Sequence, residues 1–145
     1  MKIRVDENSE LSEIEVVINC PSNNDQVNKI IQILSTNYYN IIGKKDGDNY
    51  VLNLDDIFYF EAVDNHVFAY CEKDIYEVTY KIQELTDMLN QTYFIQTSRT
   101  IVLNIKKIKK VTTLVNGRIL AVLNNNEKMI ITRVYAQKFK AKLKE

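Results

Sequence analysis

The chain has 145 residues, 46% of them hydrophobic, with 19 basic and 19 acidic side chains. That apolar content suffices for a packed core and excludes a disordered chain, and the length sets one domain or one small domain with an appendage. No apolar run approaches the roughly 18 residues of a membrane helix, and the opening MKIRVDENSE lacks the apolar centre of a signal peptide, so a cytoplasmic protein is expected.

The neutral sum hides a division. Residues 1–80 carry 6 Lys and Arg against 15 Asp and Glu, a charge of −9, whereas residues 81–145 carry 13 against 4, a charge of +9. A basic half is the electrostatic footprint of a polyanionic partner.

In chain order, Glu13–Cys20 alternates, with Ile14, Val16, Ile18 and Cys20 on one face, and reads as a half-buried strand. Lys2–Asp6 could pair with it. Pro21 breaks the run and Ser22 can cap a helix in which Val27, Ile30, Ile31 and Leu34 form one apolar stripe. Residues 1–40 therefore read as an acidic strand–strand–helix segment.

From Ile41 the pattern is mostly β. Short runs at 50–54, 57–63, 67–72 and 75–79 are separated by turn residues, among them Asp46-Gly47 and Asp64-Asn65. A helix follows with Ile82, Leu85 and Leu89 on one side. Further strands are expected at 101–103, 108–115, 118–123 and 128–132. Asn116-Gly117 is the strongest hairpin signal, because a type I′ turn needs two positive φ angles. A closing helix over 134–143 spaces Tyr135, Phe139 and Leu143 as an apolar stripe and turns Lys138, Lys142 and Lys144 outward. The fold class is mainly β with a few helices.

Catalytic chemistry finds little to build on. His66 is the only histidine, which excludes a metal site with two or more, and the glycines are too scattered for a phosphate loop. His66 and Cys71, five residues apart on one strand, face opposite ways, which excludes a Cys–His dyad between them. Both Cys20 and Cys71 read as small buried apolar residues. No enzyme, cofactor or metal is expected.

The basic half offers more. Lys106, Lys107, Lys109 and Lys110 by themselves suit a solvated strand edge as well as a phosphate backbone. Arg99, Arg133 and His66, however, all stand where a loop meets a strand, a placement from which side chains can reach base edges. Two other readings stand beside duplex DNA. Tyr59, Phe60, Phe68 and Tyr70 could stack the bases of single-stranded nucleic acid or RNA. Alternatively, the acidic half could make the chain a protein–protein module without DNA binding.

Three segments in order resemble the LytTR DNA-binding domain of bacterial transcription regulators. The central one is Phe94-Ile95-Gln96-Thr97-Ser98-Arg99-Thr100-Ile101-Val102-Leu103-Asn104, followed by Ile108. Upstream, Ile57–Val63 ends in a turn leading to His66. Downstream, Ile130-Ile131-Thr132-Arg133 enters an aromatic helix. Gln96 and Ser98 stand where the family usually carries Arg and His, and Thr132 where it carries Ser. The resemblance covers residues 41–145 and implies a stack of small antiparallel sheets. It also implies binding to duplex DNA at repeated sites. His66 and Arg133 would enter two major grooves and Arg99 the minor groove between, with Asn65 and Ser98 beside them and Lys106, Lys107 and Lys109 on phosphates. It further implies a homodimer on DNA, and a chain of the stand-alone kind often restrained by a membrane protein. Residues 1–40 would then serve dimerisation or partner contact.

Overall fold

Three of the hairpins turn on pairs of residues that tolerate a left-handed backbone. The computed structural model describes residues 1–144, with residues 36–38 described by their backbone only. Strands β1 (Ile41–Lys45) and β2 (Asp48–Leu52) meet at Asp46 and Gly47, whose φ angles are 52° and 82°. Strands β3 (Ile57–Val63) and β4 (His66–Cys71) meet at Asp64 and Asn65, with φ of 49° and 66°. Val63 pairs with His66, so this is a two-residue loop of the type I′ kind. Strands β8 (Ile108–Thr113) and β9 (Ile119–Leu123) close through Asn116 and Gly117, with φ of 63° and 76°. The expected hairpin there is present. Its loop is longer than two residues, and the Leu114 N–H donates to the Arg118 carbonyl at 2.8 Å.

With β5 (Ile75–Val78), β6 (Phe94–Gln96) and β7 (Ile101–Asn104), the first strands form a seven-stranded sheet ordered β2-β1-β5-β4-β3-β7-β6. A second sheet, β10-β9-β8, adds β10 (Lys128–Ile131). Every strand pair is antiparallel. Helices α1 (Asp25–Tyr38), α2 (Ile82–Met88) and α3 (Arg133–Leu143) and three short 3-10 turns are the other regular elements of the described residues. The mainly β fold with few helices is thus as the sequence predicts.

Two cores lie on opposite faces of the large sheet. Ile41, Leu54, Phe60, Leu85, Leu89 and Phe94 fill one, with α2 over it. Leu103, Ile119, Leu123, Ile131 and Phe139 fill the other, between β3, β7, the small sheet and α3. A bulge at Phe58 shifts the β3–β4 register, so Phe58 and Tyr59 both serve this second core. Buried Asn104 ties the layers: its amide donates to the Ile57 carbonyl at 3.0 Å and its Oδ1 accepts from the Lys106 N–H.

Several expectations are corrected. Lys2–Asp6 and Glu13–Cys20 are not strands: residues 1–24 join no sheet and are exposed apart from a half-buried Ile18. Alternation describes the two faces of a strand, but a strand also needs a ladder partner, and no edge of this chain supplies one. Asn24 rather than Ser22 caps α1, its Oδ1 accepting from the Gln26 and Val27 N–H groups at 3.1 and 3.2 Å. Cys20 is exposed for want of the same partner strand, while Cys71 is half-buried. Strands β1 and β6 are additional to those expected. Gly43 masks β1 in the sequence, yet a Cβ there would stand 2.6 Å from the Tyr76 Cβ, so close strand contact requires it. Lys142 is not on a free helix face; its Nζ donates to the Asn90 and Phe94 carbonyls, each at 2.9 Å.

Candidate nucleic-acid interface

Backbone hydrogen bonds gather three loops at one end of the molecule. The Ala62 N–H, near the end of β3, donates to the Thr100 carbonyl at 2.9 Å. This sets the β3–β4 turn, with exposed Asn65 and His66, beside the β6–β7 loop, with half-buried Ser98 and exposed Arg99. Within that loop Thr97 and Ile101 close the backbone at 3.0 Å, and the Ser98 hydroxyl accepts from the Thr100 N–H at 3.3 Å. The Thr97 carbonyl then accepts from both the N–H and the hydroxyl of Thr132, at 3.0 and 3.4 Å. Thr132 immediately precedes Arg133, so the loop bearing Arg99 and the start of α3 are one unit. The hairpin at Gly117 joins them: a Cβ on Gly117 would lie 3.2 Å from the Arg133 Cγ.

His66 is oriented by Glu77 of β5, whose Oε1 lies 2.6 Å from the ring Nδ1. The contact is solvent-exposed on both sides, so it fixes geometry more than it contributes stability. With a carboxylate at Nδ1, that nitrogen carries a proton, and Nε2 is the ring atom left for an outside partner. Cys71, at the other end of β4, packs against the opposite core, so the two residues do face apart.

Arg133 sits against the interests of its own helix. It is the first residue of α3, where the helix dipole is positive and a cation costs roughly 0.3–1 kcal/mol. Thr132 makes no side-chain cap to that helix, since its hydroxyl is turned to Thr97. The exposed guanidinium and the uncapped N–H groups together make a surface for an anion.

The lysines lie elsewhere. Lys106 and Lys107 form a turn at the far end of β7 from Arg99, next to Asn104. Each is seated on a ring: the Lys106 Nζ is 3.6 Å from the centre of Tyr93 and the Lys107 Nζ 5.0 Å from that of Phe58. Lys109, on the exposed edge strand β8, hydrogen-bonds Asn126. Arg118 is a further exposed cation, which in the sequence looks like an ordinary strand residue although it follows Gly117, the neighbour of Arg133.

Of the aromatics that could stack bases, three serve the cores, while Phe68 is half-buried with its ring centre 6.4 Å from that of His66. Tyr59 and Phe60 are buried, and Tyr59 stacks on Tyr70 with centroids 4.5 Å apart. Burial, together with Glu127, raises the Tyr59 hydroxyl far above the usual tyrosine range. Among the described residues, no cluster of His, Cys, Asp and Glu could hold a metal, and no helix is long and apolar enough to cross a membrane.

Residues 47–144 match the family model of the LytTr DNA-binding domain. The chain belongs to that family. A solved LytTr domain from Bacillus cereus has the same fold, with a TM-score of 0.66 at 22% identity, covering 72% of this chain and 95% of that one. Sensory transduction protein LytT of Enterococcus faecalis is 27% identical over 65% of this chain, which spans only 39% of that protein. A Staphylococcus aureus protein named as an HTH-type transcriptional regulator is 25% identical over 99% of this chain and 98% of its own length. The second relative is therefore similar to this chain throughout, including the residues before the LytTr domain. In this LytTr domain the basic loops are carried on strands, and α2 and α3 are separated by five strands.

Proposed function

We propose that the chain is a sequence-specific transcription regulator that reads duplex DNA with the loop end of its LytTr domain. The observation that carries this is the double hydrogen bond from Thr132 to the Thr97 carbonyl, which joins the Arg99 loop to Arg133. His66 and Arg133 enter two successive major grooves and Arg99 the minor groove between, with Asn65 and Ser98 beside them. Arginine on a braced backbone suits bidentate contacts to guanine and also the narrow minor groove. Lys106, Lys107 and Lys109, at the far end of the domain, act on phosphates and raise the rate of encounter. The protein works in the cytoplasm as a homodimer on repeated sites. Residues 1–40 serve contact with a second copy or with a restraining membrane protein.

Selection from a random duplex library tests the reading. The result expected is an enriched motif, lost when Arg133 is replaced by Ala. Binding that is weak, salt-labile and indifferent to sequence would overturn it.

A further inference from the structure

The first 20 residues form a surface without a cover. Ile3, Val5 and Ile14 are each 83% exposed, Val17 68% and Val16 62%. On α1, Ile33 and Leu34 are exposed too. A segment that exposes so much β-branched surface is built for association. It lies outside residues 47–144, where the family model matches, yet a relative similar over 99% of this chain has a counterpart. DNA is not the occupant, because residues 6–15 hold five carboxylates.

We infer that residues 13–20 pair antiparallel with the same residues of a second copy, about a two-fold axis through Val17. The sequence favours an axis through a residue, and Val17 is the centre that leaves Pro21 opposite Glu13 at the end of the ladder. Centring on Val17 makes opposed positions sum to 34, an even number, so the even-numbered residues of one arm share a face with the even-numbered residues of the other. Val16 then faces Ile18 and Ile14 faces Cys20, which puts Ile14, Val16, Ile18 and Cys20 of both arms on one side and leaves Val17 on the other, opposite its own copy. On the other side Glu15 faces Asn19, and Glu13 faces Pro21, which ends the ladder. No carboxylate stands directly opposite another, the arrangement that would oppose pairing. An axis midway between Val16 and Val17 would instead pair Glu15 with Ile18 and Ile14 with Asn19.

Such an isologous ribbon supplies the ladder partner that the arm lacks within one chain. A two-stranded ribbon alone is marginal, so its apolar face needs a cover. Residues 21–24 give a four-residue connection from the arm to α1, a usual length for a strand-to-helix loop, and α1 offers exposed Ile33 and Leu34. The arm thus builds a dimer beside the DNA-binding domain and leaves the loop end free.

The experiment uses the full chain. Sedimentation should show a dimer that Val16→Asp weakens by at least about tenfold, since the ribbon would bury two carboxylates. The Val16→Asp protein should keep the wild-type melting temperature, because the arm touches neither core. Ile14→Cys should form a disulfide-linked dimer with native Cys20 under mild oxidation. Glu15→Cys in a Cys20→Ser background, which faces Asn19, should not. A wild-type monomer would overturn the inference. So would a dimer that tolerates Val16→Asp, as would one that cross-links no better at residue 14 than at residue 15. An arm docked on the basic β8 edge or on another protein would give one of these results.

Discussion

The stem of Arg133 lies across Gly117, with its Cγ, Cδ and Nε 3.2, 3.6 and 3.7 Å from where a Cβ would stand. Gly117 therefore does two things. It takes the left-handed φ of +76° that closes the β8–β9 hairpin, and it leaves room for the arginine that begins α3. Gly117→Ala should lower stability by about 1 kcal/mol through backbone strain. It should also weaken DNA binding beyond what that loss explains, because Arg133 must move. Parallel denaturation and binding titrations at a temperature where both proteins are folded check this. An alanine variant with wild-type affinity would show that the position of Arg133 does not matter.

Arg133→Ala separates function from stability in the opposite direction. Removing a cation from the first turn of α3 should leave the melting temperature unchanged or raise it slightly. Binding to the selected site should fall by about 1–3 kcal/mol, as for a lost base contact. Arg99→Ala should cost a similar amount. Lys106→Ala should instead reduce affinity for all sequences alike and lower the salt slope by about 0.9. A Lys106 variant that changed base preference would place reading at the wrong end of the domain.

Glu77 and His66 test whether orientation matters. The pair is exposed, so Glu77→Ala should alter folding by less than about 0.5 kcal/mol. The freed ring loses its fixed Nδ1 proton, so base preference at one position of the site should weaken. His66→Ala should abolish preference at that same position. Library selection with each variant gives the comparison. Loss of preference at different positions would uncouple the two residues.

Much of this end was legible in the chain because loops in β proteins are written in local chemistry. Asp64-Asn65 and Asn116-Gly117 mark two of the hairpins, and Asp46-Gly47 marks a turn whose first strand Gly43 hides, since few other dipeptides accept two positive φ values. Ile82, Leu85 and Leu89 mark α2 by spacing alone, and all three are buried. What could not be read were the long-range pairings. Thr97 and Thr132, 35 residues apart, look like ordinary polar strand ends, yet their hydrogen bonds assemble the candidate site. Arg118 is hidden in the sequence for the same reason. The arm failed in the opposite sense: Ile14, Val16 and Ile18 carry a clear strand period, but a period cannot say which chain provides the neighbouring strand.

The two cysteines should differ sharply in reactivity. Burial, followed by the carboxylates of Asp56 and Asp74, pushes the Cys71 thiol up to about 11. At pH 8 its thiolate is then on the order of a hundredfold scarcer than that of an ordinary thiol. Cys20 is exposed in the single chain, so a limiting amount of iodoacetamide should modify it first in the monomeric Val16→Asp protein. Peptide mapping after partial alkylation reads the ratio. Equal labelling would mean that β4 opens at its Cys71 end under native conditions.

Tyr59 carries the pH dependence. Its hydroxyl donates to Glu127 Oε2 at 2.9 Å, and burial is the largest cause of its raised pKa, followed by that carboxylate. The fold therefore favours the neutral phenol. A group whose pKa is higher folded than unfolded contributes its full stability below the unfolded value, near 10 for tyrosine, and loses it as pH rises towards the folded value. Stability should consequently hold through neutral pH and decline above about pH 10. At pH 7, Tyr59→Phe removes one hydrogen bond and should cost about 0.5–1.5 kcal/mol. Above pH 10 the same variant should lose less stability per pH unit than the wild type, because it has no phenol to ionise there. Urea denaturation at both pH values measures the two slopes. Parallel declines in the two proteins would assign the alkaline loss to other groups, of which Tyr70, also raised by burial, is the first to test.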